Sequence, residues 1–144
     1  MLRLVSILSL TLIFGVSIFA QQTTKPSSAN QAIKSSPAYA EILLRKTELE
    51  SNVESLLVSY TEEFPKLKES RYELGLIKRD SEKLLSQTDV SKLSLALGKL
   101  LVRRAELETN LWALRNQYGS EHPEVKRAQR KVLSYDNAVK EILP

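Results

Sequence analysis

Side chains able to carry chemistry are sparse in this chain, and their spacing decides what they can do. Its 144 residues contain no cysteine. That removes thiol nucleophiles, Cys–zinc sites, disulfides and a lipoprotein anchor together, since each needs the sulfur. The single histidine, His122, directly precedes Pro123, the place of a turn residue rather than of a base with a carboxylate or nucleophile partner. Glu48/Glu50 and Glu106/Glu108 bring carboxylates close in sequence. At a spacing of two they diverge around a helix, so they read as solvated surface and not as an acid/base pair. There is no Gly-x-Ser-x-Gly elbow and no Gly-rich phosphate loop. We expect no enzyme, no cofactor and no metal.

Binding chemistry is better represented. Trp112 is the one tryptophan, and it lies next to Leu111 on an apolar stripe. It is expected either to flank a core or to anchor a protein partner, a role that large aromatics favour. Tyr72 is a second isolated aromatic, and Lys46 and Arg104 interrupt apolar stripes. Those two cations are expected to snorkel or to pair with glutamates across a bundle, fixing register. Lys and Arg number 21 against 17 Asp and Glu, a net charge of +4. The two signs are interleaved rather than gathered into a basic stripe, so nucleic acid is not expected as a partner.

These residues are positioned by a simple plan. Met1–Arg3 supplies one charge, Leu4–Phe19 is almost wholly apolar, and Ala20 precedes Gln21-Gln22. This is the pattern of a secretory signal over 1–20, placing the protein in a periplasm or outside the cell. Ile18 is not the small residue that cleavage prefers, so the alternative is an uncleaved inner-membrane anchor, which would bring contact with a membrane. The polar stretch 21–36 reads as a flexible tether.

From Pro37 the spacing of apolar residues predicts four helices: about 37–60, 65–86, 90–118 and 123–143. Phe64-Pro65 and His122-Pro123 mark the turns within two hairpins, and Ser86–Asp89 the break between them. Shifted by about 58 residues, the chain overlays on itself without a gap from Leu43 to Leu85. Glu48-Leu49-Glu50, Asn52, Leu56, Tyr60, Glu63, Pro65 and Lys68 match Glu106-Leu107-Glu108, Asn110, Leu114, Tyr118, Glu121, Pro123 and Lys126. A heptad background would match the leucines but not Tyr-x-x-Glu-x-Pro, so the reading is a duplicated helix–turn–helix unit. The expected fold is all-α: two tandem antiparallel hairpins, 37–86 and 87–144, coiled-coil or four-helix-bundle-like. The turn residues Tyr60, Glu63, Pro65, Tyr118, Glu121, His122 and Pro123 are structural in this reading.

Ala105-Glu106-Leu107-Glu108, Leu114-Arg115-Asn116-Gln117-Tyr118 and Glu121-His122-Pro123-Glu124-Val125 resemble the periplasmic helical hairpin of polysaccharide chain-length determinant and exopolysaccharide exporter proteins. The first repeat, with Phe64-Pro65-Lys66-Leu67, resembles it loosely. These 144 residues show no C-terminal transmembrane helix, membrane-proximal α/β domain or nucleotide-binding kinase domain, so the resemblance implies a free-standing relative of the stalk alone. The expected function is a structural or adaptor coiled coil in the bacterial envelope that binds a protein partner or itself through helical faces. The alternative is a small periplasmic holdase chaperone.

Overall fold

The computed structural model describes residues 28–144, so the expected signal over 1–20 and the first part of the tether lie outside the described residues. The rest of the tether departs from expectation. Ser28–Lys34 forms a short helix, α1, whose Ile33 is 1% exposed. Ile33 joins the main core beside Ile42, Ile77 and Leu84. One isoleucine in polar sequence has no period to announce it; the groove it meets decides its burial.

Four longer helices follow: α2 (Pro37–Ser59), α3 (Pro65–Leu85), α4 (Leu95–Gln117) and α5 (Pro123–Ile142). The described chain is all-helical, without strands. Each start has a local cause. Ser36 Oγ accepts from the Tyr39 N–H at 3.3 Å, with Pro37 in the first turn where its missing N–H costs nothing. Pro65 and Pro123 open α3 and α5 after extended residues at Phe64 and His122. Both α2 and α4 stop at a tyrosine, Tyr60 or Tyr118, whose backbone turns extended.

The helix expected from Val90 is corrected. Val90–Lys92 is a single 3-10 turn, Leu93 drops into the core at 1% exposure, and α4 begins at Leu95. Two short polar side chains compete for backbone N–H groups here. Asp89 Oδ1 accepts from the Ser91 N–H at 3.0 Å, and Ser94 Oγ from the Leu97 N–H at 3.3 Å.

Helix α4 is the hub. It packs on α2, α3 and α5, while α2 also packs on α3. The starts of α2 and α4 meet side by side: the Ala38 N–H donates to the Leu93 carbonyl at 3.2 Å, and Gly98 lies against Ala38 and Glu41. These two helices therefore run parallel, and α3 and α5 return antiparallel to them. The narrow α4 stripe expected from heptad spacing broadens accordingly. Leu97, Leu101, Arg104, Ala105, Thr109 and Leu111 are buried, whereas Leu100, Leu107 and Leu114 are only half-buried. The main core runs from Ile33 to Leu143, and a smaller cluster of Leu111, Val125 and Ala128 holds the far end of α4 and α5. Each fully buried leucine or isoleucine contributes about 1.5–3 kcal/mol.

Candidate functional site

The turn residues singled out by sequence gather at one end of the molecule. At the first turn the Tyr60 and Phe64 rings stack at 3.9 Å, nearly parallel at 8°. At the second, Tyr118 stacks on His122 at 4.3 Å and 15°. The backbones agree as well: Tyr60 has φ −130°, ψ 156° and Tyr118 φ −127°, ψ 158°. Glu63 pairs with Lys68, and Glu121 with Lys126 at 2.7 Å. Pro65 and Pro123 occupy equivalent first-turn positions. His122 adds a contact that Phe64 lacks. Its Nδ1 accepts from the Glu124 N–H at 3.3 Å, so the imidazole caps α5.

Trp112 is half-buried and stacks on Tyr72 of α3 at 4.9 Å and 13°. The indole thus ties α4 to α3. Its edge lines a groove of about 540 Å³ shared with Glu63, Pro65, Lys68, Asn116 and Gln117. The first turn and the end of α4 meet across this groove.

Farther along α4, Arg104 is 6% exposed and reaches three helices. One terminal nitrogen lies 2.6 Å from Asp80 of α3, the other 3.2 Å from Asp136 of α5, and Nε 3.6 Å from Glu108 on the same helix. Asp80 is itself 2% exposed, and its Oδ2 has no hydrogen-bond partner. The Lys140 hydrogen bond, with added attraction from Lys140 and Arg104, holds the Asp136 carboxyl below the usual carboxylate range despite partial burial. Lys46, which stands 58 residues before Arg104, stays half-exposed and, among the described residues, pairs with Glu50 at 3.7 Å. Of the two cations expected to pair across the bundle, Arg104 does so and Lys46 pairs within its own helix.

The paired carboxylates are held by cations. Glu48 lies 3.2 Å from Arg45, Glu50 3.6 Å from Lys78, Glu106 2.8 Å from Arg103, and Glu108 3.5 Å from Arg79. Burial works against the charge of Arg45, but Glu73 at 2.6 Å, with Glu48 and Glu106, outweighs it and raises its pKa. No group of His, Asp or Glu among the described residues could hold a metal ion, and no described helix is long and apolar enough to cross a membrane. What this surface offers is contact: aromatic stacks, ion pairs and half-covered leucines.

No protein family, curated protein or solved structure matches this chain.

Sequence reasoning missed Asp80, Asp136, Gly98 and Ser94. Ser94 was within reach, because Ser36 stands 58 residues before it at the head of the same apolar pattern. Asp80, between Ile77 and Leu84 on the apolar side of α3, was a polar interruption of the same kind as Arg104.

Proposed function

We propose that this chain is an exported, non-catalytic scaffold built from two tandem copies of one helical hairpin, which works by presenting helical faces to protein partners. One observation carries the reading. Two turns 58 residues apart share the same ring stack, the same terminal backbone angles and the same Glu–Lys pair. An agreement spread over caps, rings and ion pairs supports duplication of a whole unit, and stacked copies of one hairpin expose extended surfaces suited to partners. The second hairpin then lies with α4 in the groove between α2 and α3. Export rests on the residue 1–20 pattern. The setting we favour is envelope polysaccharide export, motivated by the Tyr-to-His-Pro turn.

Exposed Leu43, Leu44, Leu57 and Val58 on α2 motivate the second reading, a holdase that shields unfolded clients on apolar surface. An aggregation assay separates the two. Thermal aggregation of a model client should proceed unchanged with an equimolar amount of this protein if it is a scaffold, and suppression would replace that reading with the holdase. Cross-linking through a photoreactive residue at Trp112 or Leu44 in intact cells should give discrete adducts. A smear over many proteins would count against the scaffold.

A further inference from the structure

The two hairpins are alike in sequence but unequally covered. In the first, Ile42, Leu49, Ile77 and Leu84 are 0–4% exposed, with α4 seated over that hairpin. Their counterparts 58 residues on, Leu100, Leu107, Tyr135 and Ile142, are only half-buried. Among the described helices, none is seated between α4 and α5 of hairpin two as α4 is between α2 and α3 of hairpin one. The converse holds for the helix that does the filling. Leu101 of α4 is 1% exposed, yet its counterpart on α2, Leu43, is 46% exposed. One side of the molecule thus carries an uncovered hairpin face and the other an exposed stretch of α2 around Leu43, at the positions by which α4 packs on hairpin one.

We propose that a second copy of this chain covers that hairpin face: α2 of one molecule lies between α4 and α5 of the next, as α4 lies between α2 and α3. The internal junction supplies the register. Arg45 faces Glu106 at 3.7 Å, and the shifted pair is Arg103 with Glu48 of the second copy, the same charges in the same order. Tyr72 stacks on Trp112 inside the chain, and the shifted pair is Arg130 with Glu54, again of opposite charge. Arg130 lies with Arg127, Lys131 and Ser134 along a shallow concavity of about 320 Å³ on α5, and Glu54 is exposed on α2. At this place charge complementarity joins the two faces where aromatic stacking joins them internally, whereas the buried Arg104–Asp80 pair shifts to Lys46 and Ala138 and has no charged equivalent.

The match is looser than its model inside the chain. Gly98 lets α4 approach α2, because a Cβ there would come within 2.9 Å of the Ala38 Cα. The second copy brings Ala40 to that place, so the contact is weaker and reversible. Because the two faces differ, each molecule uses one of each, and the contact propagates head to tail instead of closing as a symmetric dimer.

This inference rests on the duplicated-hairpin reading and is tested by sedimentation of the purified exported protein over a wide concentration range. Average mass should rise with concentration past that of a dimer and fall as salt is added. Glu54→Arg and Arg130→Glu should each shift association to at least about tenfold higher concentration, because like charges then meet. An equimolar mixture of the two variants should restore it, since each supplies the opposite charge. Leu43→Asp should abolish association while circular dichroism shows unchanged helix. A protein that stays monomeric, one that stops at a dimer, or a mixture that fails to recover would each overturn head-to-tail assembly. The scaffold reading would survive that result, because the client and cross-linking assays judge it separately.

Discussion

Tyr118 and His122 lie face to face at the second turn as Tyr60 and Phe64 do at the first, but only the histidine also caps a helix. Losing a cap costs about 0.5–2 kcal/mol and losing a stacked pair about 0.5–1.5 kcal/mol. His122→Ala should therefore lower stability by about 1–2 kcal/mol, more than Phe64→Ala removes beyond its apolar burial, as read from urea denaturation. Arg104 and Asp80 set a larger stake. Both are almost fully buried, and removing one leaves the other charged in a poorly solvated place. Asp80→Ala should cost about 3 kcal/mol or more, whereas replacing Asp80 with Leu and Arg104 with Met together should cost much less. Of this site, Arg104 was legible from sequence as a cation on an apolar stripe. Two of its three carboxylates come from other helices, and a one-dimensional pattern does not say which helix faces which.

Among the elements, helix ends were the most legible features. Proline at 65 and 123 and the tyrosines before them are local signals, because a missing N–H and a restricted preceding residue act within a few positions. The break between hairpins was less legible, since Asp89 and Ser94 both bind backbone N–H groups and split what the apolar spacing reads as one helix. Close helix packing was not legible at all. Gly98 and Gly75 are both mid-sequence glycines, yet a Cβ at 98 would collide with α2, while at 75 it meets nothing within 4 Å. Gly75→Ala should stabilise by about 0.5–1 kcal/mol through helix propensity. Gly98→Ala should destabilise by about 1–3 kcal/mol through overpacking against backbone. Thermal melts of the two variants would move in opposite directions.

Across the whole molecule, α5 is the outermost layer, held to α4 by Val125, Ala128 and Val139 and by the Arg104–Asp136 pair. The Asp136 carboxyl titrates below its ordinary value in the folded protein. Its stabilisation is thus complete above the unfolded value and is lost as pH falls through the lower folded value. Stability measured from about pH 5 down to about pH 2 should drop, and Asp136→Asn should remove part of that slope while leaving the remainder to other carboxylates. If Asp136→Asn left the acid limb unchanged, the contacts of Asp136 with Lys140 and Arg104 would not be the ones that matter there.

Sequence alone determined what acts over short range: the helical class, the two proline turns, the aromatic that ends each incoming helix, and the correspondence of residues 58 apart. These follow from backbone chemistry and from side chains a turn or two apart. Tertiary structure decided which copy of each equivalent position is covered. Leu43 and Leu101 share a residue type and stand 58 residues apart in matching sequence, yet one is exposed and the other joins the main core. It likewise decided that a lone Ile33 is core, and that Arg104, and not Lys46, becomes the buried charge that three helices share.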